Sequence, residues 1–308
     1  MSRIDILMAT YNGERFLTEQ IESILNQTFK DFNLIVRDDC SSDSTPQILL
    51  DYQQRDERVS VFFNERTYGV AKNFELLIRQ SDADYCMFSD QDDVWFKDKI
   101  EITMQEMART EAGAKVPCLV HSDAIVTDRD LNKMADLHIG KRGMRAGIRE
   151  MLFTGVVQGA TMMINRSLRN EAIPFPTGIH MHDLYLGLLS EVRGRRKFIE
   201  TPLMLYRQHQ GNVIGINTGD GNKKVLSFPN HISDVKEVYD RFSATMSQRM
   251  RWYFRRYFQI VDSNVPAYVR ISSMWEAGFF STKTRLVNSL RILWSKKFQV
   301  MKGSKKRN

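Results

Sequence analysis

The chain of 308 residues holds only three cysteines, Cys40, Cys86 and Cys118. Odd in number, far apart and outside any metal-ligand spacing, they exclude a disulfide framework and point to a reducing compartment. Long hydrophobic runs are missing, so no helix is expected to cross a bilayer. The chain enters an apolar segment at Ile4 without a charged region, a long hydrophobic core or a cleavage site before it, and a secretory signal is not expected. After the first predicted strand stands Thr10-Tyr11-Asn12-Gly13, not Gly-x-Gly-x-x-Gly, and no Gly-Lys-Ser/Thr loop occurs anywhere. These two absences set aside a Rossmann oxidoreductase and a nucleotidyltransferase. Internal repeats and low-complexity tracts are absent as well.

What is present has the composition of a folded globular protein, with 42% hydrophobic and 26% charged residues. The length fits one large or two ordinary domains. The net charge of +7 is unevenly placed: residues 1–222 carry about −6 and residues 223–308 about +13. A sign split of this kind is associated with an anionic partner.

Taken in order, apolar runs alternate with helical periodicity. Strands are expected at Ile4–Ala9, Phe32–Val36, Val59–Phe63 and Tyr85–Phe88, with helices between them carrying Phe16, Ile21, Ile24 and Leu25, then Ile48, Leu49 and Tyr52, then Phe74, Leu76, Leu77 and Ile78. Strand, loop and helix repeated in this way predict a mostly parallel central sheet with helices on both faces. Ligands of such sheets collect outside the carboxyl ends of the strands. The polar loops at Thr10, Asp38, Gly69 and Asp90 should therefore meet at one crevice. Further strands are expected at Cys118–Val120, across the run from Val156 to Ile164, and from Phe198 to Tyr206, with an apolar helix from Leu184 to Leu189.

The fourth strand delivers Ser89-Asp90-Gln91-Asp92-Asp93-Val94-Trp95, three carboxylates within four residues. Carboxylates crowded at a strand end repel one another unless a cation sits among them. A hard divalent ion with oxygen ligands, Mg²⁺ or Mn²⁺, would relieve the repulsion and keep positions open for phosphates. A solvated acidic turn is the plain alternative.

The order Ala9-Thr10-Tyr11-Asn12-Gly13, Arg37-Asp38-Asp39-Cys40-Ser41-Ser42-Asp43-Ser44-Thr45, Gly69-Val70-Ala71-Lys72-Asn73 and Asp90-Gln91-Asp92-Asp93 resembles the family 2 glycosyltransferases of the GT-A fold. The pair His182-Asp183 and the ending Tyr206-Arg207-Gln208-His209 resemble later landmarks of bacterial members that build surface polysaccharides, rhamnosyltransferase-like ones included. The resemblance covers about residues 3–215. It implies that Thr10, Tyr11 and Asn12 meet the nucleotide base, that Asp39 accepts from the base imide, that Lys72 lies near the diphosphate, and that Asp90 and Asp92 form the Asp-x-Asp motif. Asp92, with His209 as a further ligand, would hold Mn²⁺ or Mg²⁺. Asp183 matches the catalytic base of an inverting transfer, and Asp93, Trp95, His182 and Arg207 are candidates for acceptor or diphosphate contact. His182 stands where many relatives have an acidic residue. Ordinary roles stay open for the same side chains: Asp39 as an Asx turn or cap, Asp183 as the cap of the next helix, His209 as a structural histidine.

The implied enzyme is an inverting, metal-dependent hexosyltransferase. It would use dTDP-rhamnose, or otherwise glucose or galactose from a UDP-sugar, and add to a lipid-linked cell-surface polysaccharide. A GT-A domain is expected over residues 1–218, with a nucleotide-sugar half to about 115 and an acceptor half from about 116. Residues 219–308 form a basic, aromatic-rich helical region. Cations interleaved with aromatics at Arg249–Phe258 and Arg285–Trp294 suit the cytoplasmic face of the cell membrane. They also suit a homodimer contact or single-stranded nucleic acid, which leaves a non-catalytic nucleotide- or nucleic-acid-binding module as the competing reading.

Overall fold

In the computed structural model the described residues are 3–137, 147–155, 157–209, 228–262 and 264–278. The apolar run at the start becomes β1 (Ile4–Thr10), with β2 (Phe32–Asp38) and β4 (Tyr85–Ser89) parallel to it on either side and β3 (Val59–Phe63) parallel to β2. Strands enclosed on both faces need apolar residues at consecutive positions, not alternate ones, and Ile4, Ile6, Leu7 and Met8 are all fully buried. The covering helices are α1 (Leu17–Leu25), α2 (Thr45–Arg55) and α3 (Val70–Gln80). Their buried residues, among them Leu17, Ile21 and Ile24 on α1 and Phe74, Leu77 and Ile78 on α3, recur at the spacing of one helix face.

Beyond β4 the sheet becomes mixed, in the order β3-β2-β1-β4-β8-β6-β9-β5. β8 (Met162–Asn165) runs antiparallel to both β4 and β6 (Cys118–Thr127), β9 (Arg195–Arg207) lies parallel to β6, and the short β5 (Val94–Trp95) is antiparallel to β9. A small β7 (Lys133–Ala135) pairs with β6. Of the run expected as a strand from Val156 to Ile164, only Met162 onward pairs in the sheet among the described residues. Gly159–Thr161 is a 3-10 turn, and His182 packs where a side chain at 159 would stand, so the position needs glycine. The remaining helices of this part are α4 (Lys99–Glu111), α5 (Ile148–Thr154), α6 (Arg166–Ala172), α7 (His182–Arg193) and α8 (Phe228–Phe242).

The chain divides into two compact units, residues 1–240 and 241–308. The first extends past residue 218, where composition alone places a boundary. Asp234 of α8 is fully buried and accepts from His180 N, His180 Nδ1 and Met181 N at 2.8, 2.9 and 3.1 Å, which fastens α8 to the segment entering α7. In the second unit, α9 (Gln248–Val261) and α10 (Ala267–Glu276) pack through Phe254, Tyr257, Ile260 and Met274, with Arg270 Nε donating to Ile260 O at 2.9 Å. The basic stretch Arg249–Phe258 lies on α9, and Arg285–Trp294 lies outside the described residues. No helix of the described residues is long and apolar enough to cross a membrane.

Candidate active site

The loops leaving β1, β2, β3 and β4 are tied to one another by side chains that the sequence places at the strand ends. Thr10 Oγ1 donates to Asp38 Oδ1 at 2.9 Å, and Asp38 also accepts from Ser41 N and Ser41 Oγ. Asn12, in the left-handed region that asparagine tolerates, receives Ser42 N on its Oδ1 while its own N–H donates to Ser41 Oγ. Gln91 reaches across from the acidic loop: its Oε1 accepts from Tyr11 N at 2.8 Å and its Nε2 donates to Tyr11 O at 3.0 Å. A Cβ on Gly13 would lie 2.3 Å from Gln91 Oε1, so this clamp needs glycine at 13. The Tyr11 ring is left 52% exposed at the crevice, available for stacking on a planar ligand.

Asp39 is buried, and its carboxylate ties down the third loop. It accepts from Asn64 Nδ2 (2.8 Å), Tyr68 N (2.7 Å) and Gly69 N (2.8 Å). The carboxylate at the start of α2 is Asp43 instead, just before the N-cap Ser44, and its Oδ1 accepts from Thr45 N. Burial opposes the Asp39 charge, but the donors from Tyr68, Gly69 and Asn64 outweigh it and hold the carboxyl below its ordinary range. Asp39→Ala is expected to cost about 2–4 kcal/mol in urea unfolding at neutral pH, since three donors lose their acceptor at once. Because this carboxyl is depressed in the fold, its contribution is present above the ordinary aspartate pKa and disappears as pH falls through the folded value. The difference between wild type and Asp39→Ala should therefore shrink on acidification. Lys72, near the start of α3, is half-exposed and donates to Glu75 Oε2 at 2.8 Å.

The acidic loop bridges the two halves of the sheet. Asp92 Oδ2 and His209 Nε2 are 2.7 Å apart, with Phe16 against the imidazole. Among the described residues no group of three or more His, Cys, Asp or Glu side chains is arranged to hold an ion unaided. One carboxylate and one imidazole side by side are nonetheless a donor set that suits Mn²⁺, with the remaining positions left for phosphate oxygens, and the residues present fit such an ion. Asp90 is half-buried and pushed up to about 7, first by burial and then by the charges of Asp92 and Asp183.

Asp183 sits in the first turn of α7, where the helix dipole favours negative charge. Its Oδ1 accepts from Leu184 N at 2.7 Å and its Oδ2 from Gly159 N at 3.3 Å. Burial dominates over those bonds and, with the charge of Asp234, lifts the carboxyl to about 6. A carboxylate poised there is ionised near neutrality and still basic enough to take a proton.

The structure turns the four candidates for acceptor or diphosphate contact inward. His182 is buried between Phe74 and Phe88, with ring centroids 3.9 and 5.5 Å away, and burial alone drives its imidazole down to about 3. Its side chain leaves the start of α7 toward Phe74 of α3. Trp95 is buried in the core, where its ring underlies Lys99. Asp93 is fully buried, accepts from Arg207 N at 3.1 Å, and is raised well above the usual range by burial and the charges of Asp92 and Asp90. Arg207 is buried too: its Nε donates to Asp92 O (2.7 Å), its Nη1 to Arg129 O and its Nη2 to Glu19 Oε2. These residues hold the acidic loop against β9 and α1. Sequence reasoning missed Gln91 as a clamp, Asp234 as the anchor of the segment entering α7, and Lys99 buried against Trp95 and Ala160. The one local signal for Lys99 is a cation at the second turn after a strand end crowded with carboxylates.

The family model of glycosyl transferase family 2 matches residues 5–171, which takes in β1 to α6 and all four crevice loops. The chain belongs to glycosyltransferase family 2. The glycosyltransferase is 31% identical over 228 residues to the dTDP-rhamnosyl transferase RfbG of Shigella flexneri, covering 68% of this chain and 74% of that one. It is 26% identical over 188 residues to the UDP-Glc:alpha-D-GlcNAc-diphosphoundecaprenol beta-1,3-glucosyltransferase WfgD of Escherichia coli, covering 60% and 68%. In fold, the glycosyltransferase is similar to the mannosyltransferase PcManGT from Pyrobaculum calidifontis, solved in complex with GDP-Man and Mn²⁺: TM-score 0.56 and 13% identity over 97% of this chain and 83% of that one. The GT-A architecture expected from the sequence is the one found. Asp183 and His209 lie beyond the residues that the family model covers.

Proposed function

We propose that this glycosyltransferase transfers a hexose with inversion from a pyrimidine nucleoside-diphosphate sugar, in a metal-dependent reaction, to a lipid-linked polysaccharide acceptor. dTDP-rhamnose is the first candidate donor, supported by the likeness to a dTDP-rhamnosyl transferase, followed by UDP-glucose or UDP-galactose. The observation that carries the reading is the joining of the strand-end loops, Gln91 to Tyr11 and Tyr68 and Gly69 to Asp39, around an acidic loop whose Asp92 lies 2.7 Å from His209. In this reading Tyr11 stacks on the base, with Thr10, Asn12 and Asp39 shaping its pocket, while Lys72 and Asp90 face the diphosphate and sugar. Asp92 and His209 would hold Mn²⁺ or Mg²⁺, which when bound supplies positive charge to the departing diphosphate. Asp183 takes the proton of the acceptor hydroxyl as its oxygen bonds to the anomeric carbon; the bond from that carbon to phosphate breaks on the opposite side and its electron pair leaves with the nucleoside diphosphate.

The acceptor reading draws on the diphosphoundecaprenol named for the Escherichia coli relative and on the second unit. Tyr268, Ile271 and Trp275 of α10 are exposed at helical spacing, and residues 279–308 carry nine Lys and Arg with no Asp or Glu. That chemistry fits peripheral attachment to an anionic membrane surface. On α9 the rings of Phe254 and Tyr257 are buried, which leaves them no face for nucleobases and disfavours the nucleic-acid module.

The test is a thermal-shift panel with dTDP, UDP, GDP and ADP, each with Mn²⁺ and with chelator. Stabilisation of about 4–8 °C by a pyrimidine diphosphate with Mn²⁺, lost with chelator, is expected at saturating ligand. Stabilisation by purine diphosphates alone, or by none at millimolar concentration, would overturn the proposal. Vesicle sedimentation checks the membrane part: binding that rises with anionic lipid and falls with salt is expected, and equal binding to neutral vesicles counts against it.

A further inference from the structure

Asn64 follows β3 directly, and its main chain is held by the end of β2 and the loop after it: its N–H donates to Asp38 O at 3.0 Å and its carbonyl accepts from Cys40 Sγ at 3.1 Å. The side chain reaches further. Its Oδ1 accepts from Arg37 Nη1 at 2.8 Å, and its Nδ2 donates to Asp39 Oδ1 at 2.8 Å and to Asn73 Oδ1 at 2.6 Å. A guanidinium only donates and a carboxylate only accepts, so Arg37 and Asp39 together fix which end of the amide faces which. Asn73, buried in the first turn of α3, donates in turn to Gly69 O at 2.9 Å and adds to the donors around Asp39.

This arrangement makes the two oxygens of Asp39 unequal. Oδ1 accepts twice, from Asn64 Nδ2 and from Tyr68 N at 2.7 Å, whereas Oδ2 accepts from Gly69 N at 2.8 Å. A carboxylate oxygen has two lone pairs, so Oδ1 is full and a ligand donor is left with Oδ2. Nucleobases differ in what they ask of such a group. The imide of uracil or thymine presents one N–H. The matching edge of guanine presents two donors side by side, a ring N–H and the exocyclic amino group, which fit both oxygens of an open carboxylate as a guanidinium does.

We propose that Asn64 is a specificity-determining residue: by filling Asp39 Oδ1 it reduces the carboxylate to a one-oxygen acceptor, which suits a pyrimidine imide and denies guanine the second of its two bonds. The guanine amino group then goes unpaired or must displace the bond from Asn64, and a buried donor without an acceptor counts against the ligand that carries it. The proposal rests on the reading above that Asp39 meets the base, and it supplies the reason why this carboxylate selects a pyrimidine.

The test is calorimetric titration of the full chain, wild type and Asn64→Ala, with Mn²⁺ and four nucleotides: UDP; N3-methyl-UDP, which lacks the imide N–H; GDP; and IDP, which keeps the ring N–H of guanine and lacks its amino group. Wild type is expected to hold UDP about tenfold or more tighter than N3-methyl-UDP, and GDP no tighter than IDP. In Asn64→Ala, with Oδ1 opened, the preference for GDP over IDP should rise about tenfold. GDP and IDP differ only in the amino group, so a general loosening of the loop moves both alike and leaves their ratio where it was. An unchanged ratio, no purine binding by Asn64→Ala, or a wild type that already holds GDP about tenfold tighter than IDP overturns the proposal. Should Asn64→Ala not fold, Asn64→Ser is read by the same ratio. Failure of the underlying reading looks different: wild type that binds UDP and N3-methyl-UDP equally shows that Asp39 does not receive the imide, and the proposal falls with it.

Discussion

Asp183→Asn is expected to lower turnover by about 10²–10⁴-fold with the fold intact. The asparagine keeps an acceptor for Leu184 N or Gly159 N, whose bonds to Asp183 are 2.7 and 3.3 Å, so a change in melting temperature beyond a few degrees is not anticipated. Donor KM should stay nearly constant if, as proposed, the carboxylate acts on the acceptor proton and not on the nucleotide. The wild-type pH profile follows from the same group. With its carboxyl raised to about 6, Asp183 is ionised and able to accept a proton above that pH, so kcat/KM should fall with an acid limb near pH 6 and level off above it. An Asp183→Asn variant with more than a tenth of wild-type turnover, or a wild-type profile flat through pH 6, would falsify the assignment of this residue as base.

Asp92→Asn carries the second large effect, and its readout begins with binding. The variant should lose the difference between Mn²⁺ and chelator in nucleotide stabilisation, and turnover should drop on the order of 10³-fold, the several kcal/mol that a metal contributes to a departing diphosphate. Asn keeps the size of the side chain, and the Asp92 main-chain carbonyl still receives Arg207 Nε, so the loop should hold its place. His209→Ala is the graded companion, with about 10–100-fold weaker metal binding if the imidazole ligates beside Asp92. Retained Mn²⁺-dependent stabilisation in Asp92→Asn would move the ion elsewhere, to Asp90 first.

The front of the sheet was readable because parallel strands covered on both faces announce themselves as unbroken apolar runs: Ile4 to Ala9 and Phe32 to Val36 need no partner to be recognised. The meeting of the four loops follows from that topology, and the bonds from Asp39 to Tyr68 and Gly69 and from Gln91 to Tyr11 realise it. Legibility fades where a role depends on a side chain's direction. His182 adjoins Asp183 in sequence, yet at the start of a helix the two point different ways, one between Phe74 and Phe88 and the other to Gly159 N. Arg207 looked like a phosphate ligand because its charge is visible in sequence, whereas its partners Glu19 and Arg129 come from distant segments. Lys99 and Asp234 were silent for the same reason: a charge reads as solvated until the fold shows what encloses it.

The Gln91 side chain engages Tyr11 as a neighbouring strand would, one bond to N–H and one to C=O. The loop expected to cradle the base and the loop bearing Asp92 are thereby a single mechanical body, and neither can shift to suit its ligand without carrying the other. Nucleotide and metal should then be thermodynamically linked: whatever factor a well-fitting base adds to the affinity for the ion, the ion must return to the base. Discrimination between pyrimidine and purine donors would in that case be written partly in metal affinity, at a distance from the base itself.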